Sequence, residues 1–127
     1  MKIDSYDPLT APDAEQWLAL DETERIQLAL DYHIRARTEL PGVNAHAMLH
    51  VVVENQVALG DETPVRDKLR QLMAQGLDRH DAVHAIASVL IHHLSRLRRD
   101  PDAVGDVNAG YYAALKRLNA RKWLRSG

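Results

Sequence analysis

Apolar residues recur at three- and four-residue spacing along most of the chain, and capping or breaking residues cut this pattern into segments of helical length. Pro12 falls near the first turn of a short segment carrying Trp17, Leu18 and Leu20. Asp21 opens D-E-T-E, a side-chain cap with Glu24 three residues on, and predicts a second helix that stops near Leu40, since Pro41-Gly42 disfavours continuation. A third helix is predicted from about Asn44 to Leu59, with Gly60 ending it. Thr63-Pro64 starts a fourth that Gly76 closes, and Asp78 caps a long fifth to about Arg99, before Asp100-Pro101. The last, from about Asp106 to Trp123, carries Tyr111, Leu115 and Leu118 on one stripe. Val51-Val52-Val53 is β-branched, but its surroundings have helical spacing and no alternation, so no strand is predicted. The pattern gives an all-α class: one domain over residues 1–127 with about six helices, its hairpins packed as a bundle or as a short armadillo-like superhelix.

Angular placement at about 100° per residue puts histidines at the edges of two apolar faces. On the third helix Leu49, Val52, Val53 and Val57 form a wide apolar arc, which is the mark of a central helix. His46 and His50 lie at its edge, Gln56 falls inside it, and Glu54 is turned about 40° beyond His50, towards the outer side. On the fifth helix Val83, Ile86, Leu90, Leu94 and Leu97 form the apolar face, flanked by His80 and His84 together with Ala87 and Ile91. His92 points away from it and His93 lies near its opposite edge. His33 falls on the inward stripe of the second helix, with Ile26, Ala29, Leu30 and Leu40.

Each H-x-x-x-H presents two imidazoles to one point, because residues four apart are neighbours on a helix surface. Two antiparallel helices at ordinary packing distance would set His46 and His50 opposite His80 and His84. That supplies four nitrogen donors, or three and the Glu54 carboxylate, suited to zinc or to another transition metal such as iron, nickel or copper. With an open position, a bound water would be acidified. The competing reading is a hydrogen-bonded network of His46, His50, Gln56, His80 and His84 that sets helix register without metal, with His33 also held in the polar interior. In that case the protein is a helical-repeat interaction module whose surface does the work, with a protein partner or a second copy as its target. A third reading makes the histidines a proton-sensitive joint.

The segments HAMLHVVVENQ, TPVR and GLDRHDAVHAI together resemble a small bacterial family of conserved proteins of unknown function with paired H-x-x-x-H helices. The resemblance covers roughly residues 44–95 and implies that His46, His50, Glu54, Gln56, Arg66, His80 and His84 occupy the family's pattern positions. In that pattern Glu directly precedes Gln, whereas Asn55 intervenes here. It brings no activity with it.

Composition narrows the chemistry further. The absence of cysteine removes disulfides, thiolate zinc sites and cysteine nucleophiles. No glycine-rich phosphate loop and no G-x-S-x-G turn occur, and the residue after the first histidine of each pair is Ala47 or Asp81 rather than the Glu of zinc proteases. The His80-Asp81 doublet distantly looks like the core of HD-type phosphohydrolases, but the two side chains diverge by about 100° on a helix. No apolar run approaches a membrane span and no early segment resembles a leader, so the expected setting is cytoplasmic. Charge is uneven: residues 1–31 hold eight acids, and residues 96–127 hold eight bases against three acids. With a net charge of −2 this reads as solvated helix faces rather than a nucleic-acid surface.

Overall fold

A computed structural model describes residues 3–36, 42–100 and 108–126. Among them are seven α-helices and no strand: α1 (Ala14–Ala19), α2 (Glu22–Arg35), α3 (Val43–Ala58), α4 (Val65–Ala74), α5 (Arg79–Arg99), α6 (Ala109–Arg117) and α7 (Ala120–Ser126), with a 3₁₀ turn over Gly60–Glu62. No described helix is long and apolar enough to cross a membrane.

The caps at Asp21, Thr63 and Asp78 work as the sequence predicts, and Asp13, directly after Pro12, adds one beyond those predicted. Asp13, Asp21 and Asp78 each accept a backbone N–H from the third residue on, satisfying donors that the first turns of α1, α2 and α5 leave free. Thr63 Oγ1 accepts the amide of Val65 at the start of α4. Gly76, at φ 107°, closes α4: its own N–H goes to Met73 and that of Leu77 to Leu72, a paired arrangement that needs a left-handed residue.

Two boundaries differ from expectation. Helix α2 ends at Arg35, with Ala36 as its C-cap; Leu40 and Pro41 lie outside the described residues, as do Pro101, Asp102 and the expected start of the last helix at Asp106. The last helix is broken in two. Leu118 adopts an extended conformation (ψ 134°) and Asn119 Oδ1 accepts the amide of Lys122, so a new helix begins where an unbroken one was predicted. The break is held from outside: Lys68 Nζ donates to the Leu118 carbonyl at 2.9 Å, and the amide of Ala120 donates to Gln75 Oε1 at 2.8 Å.

The helices pack as a bundle around α3, which touches α1, α2, α4 and α5. Its wide apolar arc explains the central position. One side of α3 closes a core of Tyr6, Trp17, Leu20 and Ala29 through Ala47 and Val51. Val53 joins the larger core built by α4, α5 and α6, including Leu69, Leu72, Val83, Ile86, Leu90, Tyr111 and Leu115. On α5 the apolar face is buried through Leu90, whereas Leu94 is half exposed.

Candidate functional site

Helices α2, α3 and α5 bring five imidazoles together, one from α2 and an H-x-x-x-H pair from each of the others. His46 and His50 face His84 with ring centroids 4.9 and 5.0 Å away, and His50 lies 5.3 Å from His80. His33 approaches both His46 and His50 at 4.6 Å. The two pairs therefore meet across the α3–α5 interface as their spacing predicts, and His33 belongs with them. Ring nitrogens of His33, His50 and His80 lie within 4.8 Å of one another, as do those of His46, His50 and His84. His50 is common to both sets. It is almost fully buried with His33, while His46, His80 and His84 are half-buried and form the more accessible side.

Hydrogen bonding assigns the protons on two of these rings. His33 Nδ1 lies 2.6 Å from the carbonyl oxygen of Ala29, which can only accept, so Nδ1 carries a proton and, in the neutral ring, Nε2 is a bare acceptor. That Nε2 is buried with no partner. Tyr6 donates its single hydroxyl proton to Glu54 Oε2 at 2.6 Å, so the 3.0 Å contact between Tyr6 and His50 must be donated by His50 Nδ1–H. His50 Nε2 is then also a bare acceptor. It lies 3.0 Å from His84 Nε2, which supplies the proton of that bond. His80 Nε2 is a further buried nitrogen without a partner.

Glu54 and Gln56 occupy places that the angular reading assigned differently. Glu54 is not turned outward but buried to 1 % exposure, because Tyr6, Pro8 and Arg79 close over that side of α3. Its two oxygens are held by Arg79 at 2.7 and 2.8 Å and by Tyr6, and it does not join the imidazole donor sets. Arg79 also donates to the Pro8 carbonyl at 2.8 Å. Burial opposes the Arg79 cation, but the bonds and charge of Glu54 outweigh it and raise its pKa. Gln56 is half-buried and accepts from Tyr111 at 2.8 Å, so it ties α3 to α6 rather than to the histidines. Arg66 pairs with Asp61 and lies away from the imidazoles.

Tyr6 and Arg79 were not singled out in the sequence. Tyr6 has no local pattern to betray it. Arg79 does, since a cation in the first turn of α5 sits at the positive end of the helix dipole, a position that wants a buried anion to offset it.

The environment favours the neutral form of His46, His50, His80 and His84. Burial, then the neighbouring His33, His84, His46 and His80, lowers the pKa of His50 to about 2; burial and the same company lower His84 to about 4. His46 and His80 are lowered for the same leading reason. Burial and Glu54 push the Tyr6 hydroxyl above its usual range, so it remains a proton donor. The consequence for stability has a definite sign. The unfolded chain binds protons at an ordinary imidazole value of about 6.5 while the folded rings resist them, so stability is full above that pH and falls as the pH drops towards the folded values. With His50 lagging, we expect a loss of about 1.4 kcal/mol per pH unit between about pH 6 and 4, with a smaller, solvent-screened addition from the half-buried His84. Urea unfolding of the metal-free protein at several pH values measures this, and curves that superimpose from about pH 8 to 5.5 would exclude it.

Fold and site together define an all-α bundle with a five-histidine centre in its interior. No protein-family model, curated protein or solved structure matches the chain.

Proposed function

We propose that the protein binds a transition metal ion, with zinc as the reference case, through the imidazoles gathered around His50. The carrying observation is the Nε2 of His33, buried without a partner, gathered in one cluster with the Nε2 of His50, whose one donor is another imidazole, and with the unpartnered Nε2 of His80. A buried acceptor without a donor costs about 1–3 kcal/mol, and a cation offsets several such costs at once. The donor set is chemically apt: neutral imidazoles are good ligands, and cysteine is absent from the chain. The support behind His50 also suits a metal ligand, since ligating histidines usually donate their other N–H to an oxygen that is itself held. Here that oxygen belongs to Tyr6, backed by Glu54 and Arg79.

Zinc–nitrogen bonds of about 2.0–2.1 Å set ligand nitrogens about 3.3 Å apart in a tetrahedral site. The 3.0 Å His50–His84 pair is already near this spacing, and the remaining nitrogens, spread over up to 4.8 Å, would close by side-chain rotation. A three-histidine site would leave a position for water or a small ligand.

The specific observation favouring a metal-free network is the same His50–His84 bond, which satisfies both nitrogens without an ion. Elemental analysis of untagged protein, followed by zinc titration after chelation, separates the two. One tightly held ion per chain, lost in His50→Gln, supports the metal reading; no ion and no saturable zinc binding supports the network. Tyr6→Phe adds a finer test. It removes the group that orients His50 and should weaken zinc binding about 10–100-fold while leaving the stoichiometry at one. Unchanged affinity would mean that the Tyr6 hydroxyl serves the fold alone.

A further inference from the structure

A cavity of about 500 Å³ opens beside the histidine centre, sharing Glu54 and Arg79 with its support but none of its imidazoles. Its size falls in the range of small-molecule pockets. Trp17 and Val57 form one apolar wall, and helix α4 forms another with Leu69 and Met73. The same face of α4 carries Arg66 and Arg70, at the i, i+3, i+4, i+7 spacing that keeps all four side chains on one stripe.

The charges in this cavity are unevenly satisfied. Arg79 spends its donors on Glu54 and Pro8, and together with Glu54 contributes no net charge. Arg66 pairs through Nη2 with Asp61, an exposed residue, but its Nε is buried without an acceptor. An Asp67 oxygen lies 4.0 Å from that Nε, too far to bond it. Gly60, at φ 63°, lets the guanidinium lie close: a Cβ there would meet Arg66 Nη1 at 3.0 Å. Arg70, one turn on, is exposed and contributes a second positive charge.

From this we infer that the cavity binds a small carboxylate with an apolar body, its head on Arg66 and Arg70 and its body against Trp17, Leu69 and Met73. The carboxylate would pair with the outer nitrogens of the Arg66 guanidinium in place of the exposed Asp61, through a charge-assisted bond, and Arg70 would complete the clamp. The apolar walls favour a short alkyl or aryl chain over an inorganic anion. This inference is independent of the metal proposal, because none of the imidazoles takes part.

Octanoate is a suitable probe, with octan-1-ol as the uncharged control of the same body. Titration of the full chain, followed by tryptophan fluorescence in a Trp123→Phe background so that Trp17 reports, should show saturable one-to-one binding of octanoate. Octan-1-ol should bind at least about tenfold more weakly, the ratio expected when one charge-assisted contact is lost. Arg66→Gln/Arg70→Gln, two changes at the cavity edge, should reduce octanoate affinity to that of the alcohol while the far-UV spectrum stays unchanged. Equal binding of acid and alcohol, octanoate binding untouched by the double substitution, or no saturable binding up to about 1 mM each overturns the inference.

Discussion

Glu54→Ala is expected to destabilise the protein by about 3–5 kcal/mol, a large part of the roughly 5–15 kcal/mol that a domain of this size possesses. The substitution leaves Arg79, 4 % exposed, as a charge in the interior with only the Pro8 carbonyl beside it. It also strips Tyr6 of its acceptor, so the hydroxyl that holds His50 loses its own orientation. Arg79→Met should be similarly costly, because a buried carboxylate is then left with a single neutral donor. Apolar replacement of both partners, Glu54→Leu with Arg79→Met, removes the uncompensated charge altogether. The double variant should therefore be more stable than either single variant, with a coupling of about 2 kcal/mol or more across the cycle. Urea titrations of the four proteins provide the measurement. Single variants within about 1 kcal/mol of the wild type, or strictly additive effects, would mean that solvent reaches this pair and that it does not organise the site.

The second large effect is stabilisation by metal. Zinc at about a hundred times its dissociation constant should raise the unfolding free energy by about 2.7 kcal/mol, or about 10 °C in midpoint, for a chain of this length. Zinc held by histidines of the unfolded chain would reduce that figure. The pattern among variants is more diagnostic than its size. His50 belongs to both donor sets, whereas His33 and His80 belong to one and His46 and His84 to the other. His50→Gln should abolish the zinc-dependent shift. His33→Gln should leave it if the ion rests on His46, His50 and His84, and His46→Gln should leave it if the ion rests on His33, His50 and His80. A shift that persists in His50→Gln would place zinc elsewhere on the chain and remove the case for this centre.

The histidine centre was partly legible because its two pairs obey a local rule. Four-residue spacing on α3 and α5 places each pair on one side of its own helix, and both helices were recognisable from periodicity and caps. His33 was readable as inward from its stripe on α2, but nothing in that helix says which other side chains it meets. Glu54 illustrates the opposite case. Its angle on α3 pointed outward, and that would hold for a helix with one covered side; here Tyr6, Pro8 and Arg79 close over it and turn an exposed position into a buried ion pair. Gln56 was rightly given a partner, but that partner is Tyr111 on α6 and no imidazole. The split between α6 and α7 is not legible in the sequence because Asn119 is a modest cap by itself, and the break is held by Lys68 and Gln75, about 45–50 residues earlier in the chain.

Helix class, most helix boundaries and the pairing of histidines within each helix follow from the sequence alone, since caps, turns and periodicity act over a few residues of backbone. The meeting of His33, His46, His50, His80 and His84, the Tyr6–Glu54–Arg79 support behind them and the arginine-edged cavity were decided only by the tertiary structure. Those contacts join residues tens of positions apart, and which faces meet depends on how all the helices bury their apolar surface at once rather than on any one helix's pattern.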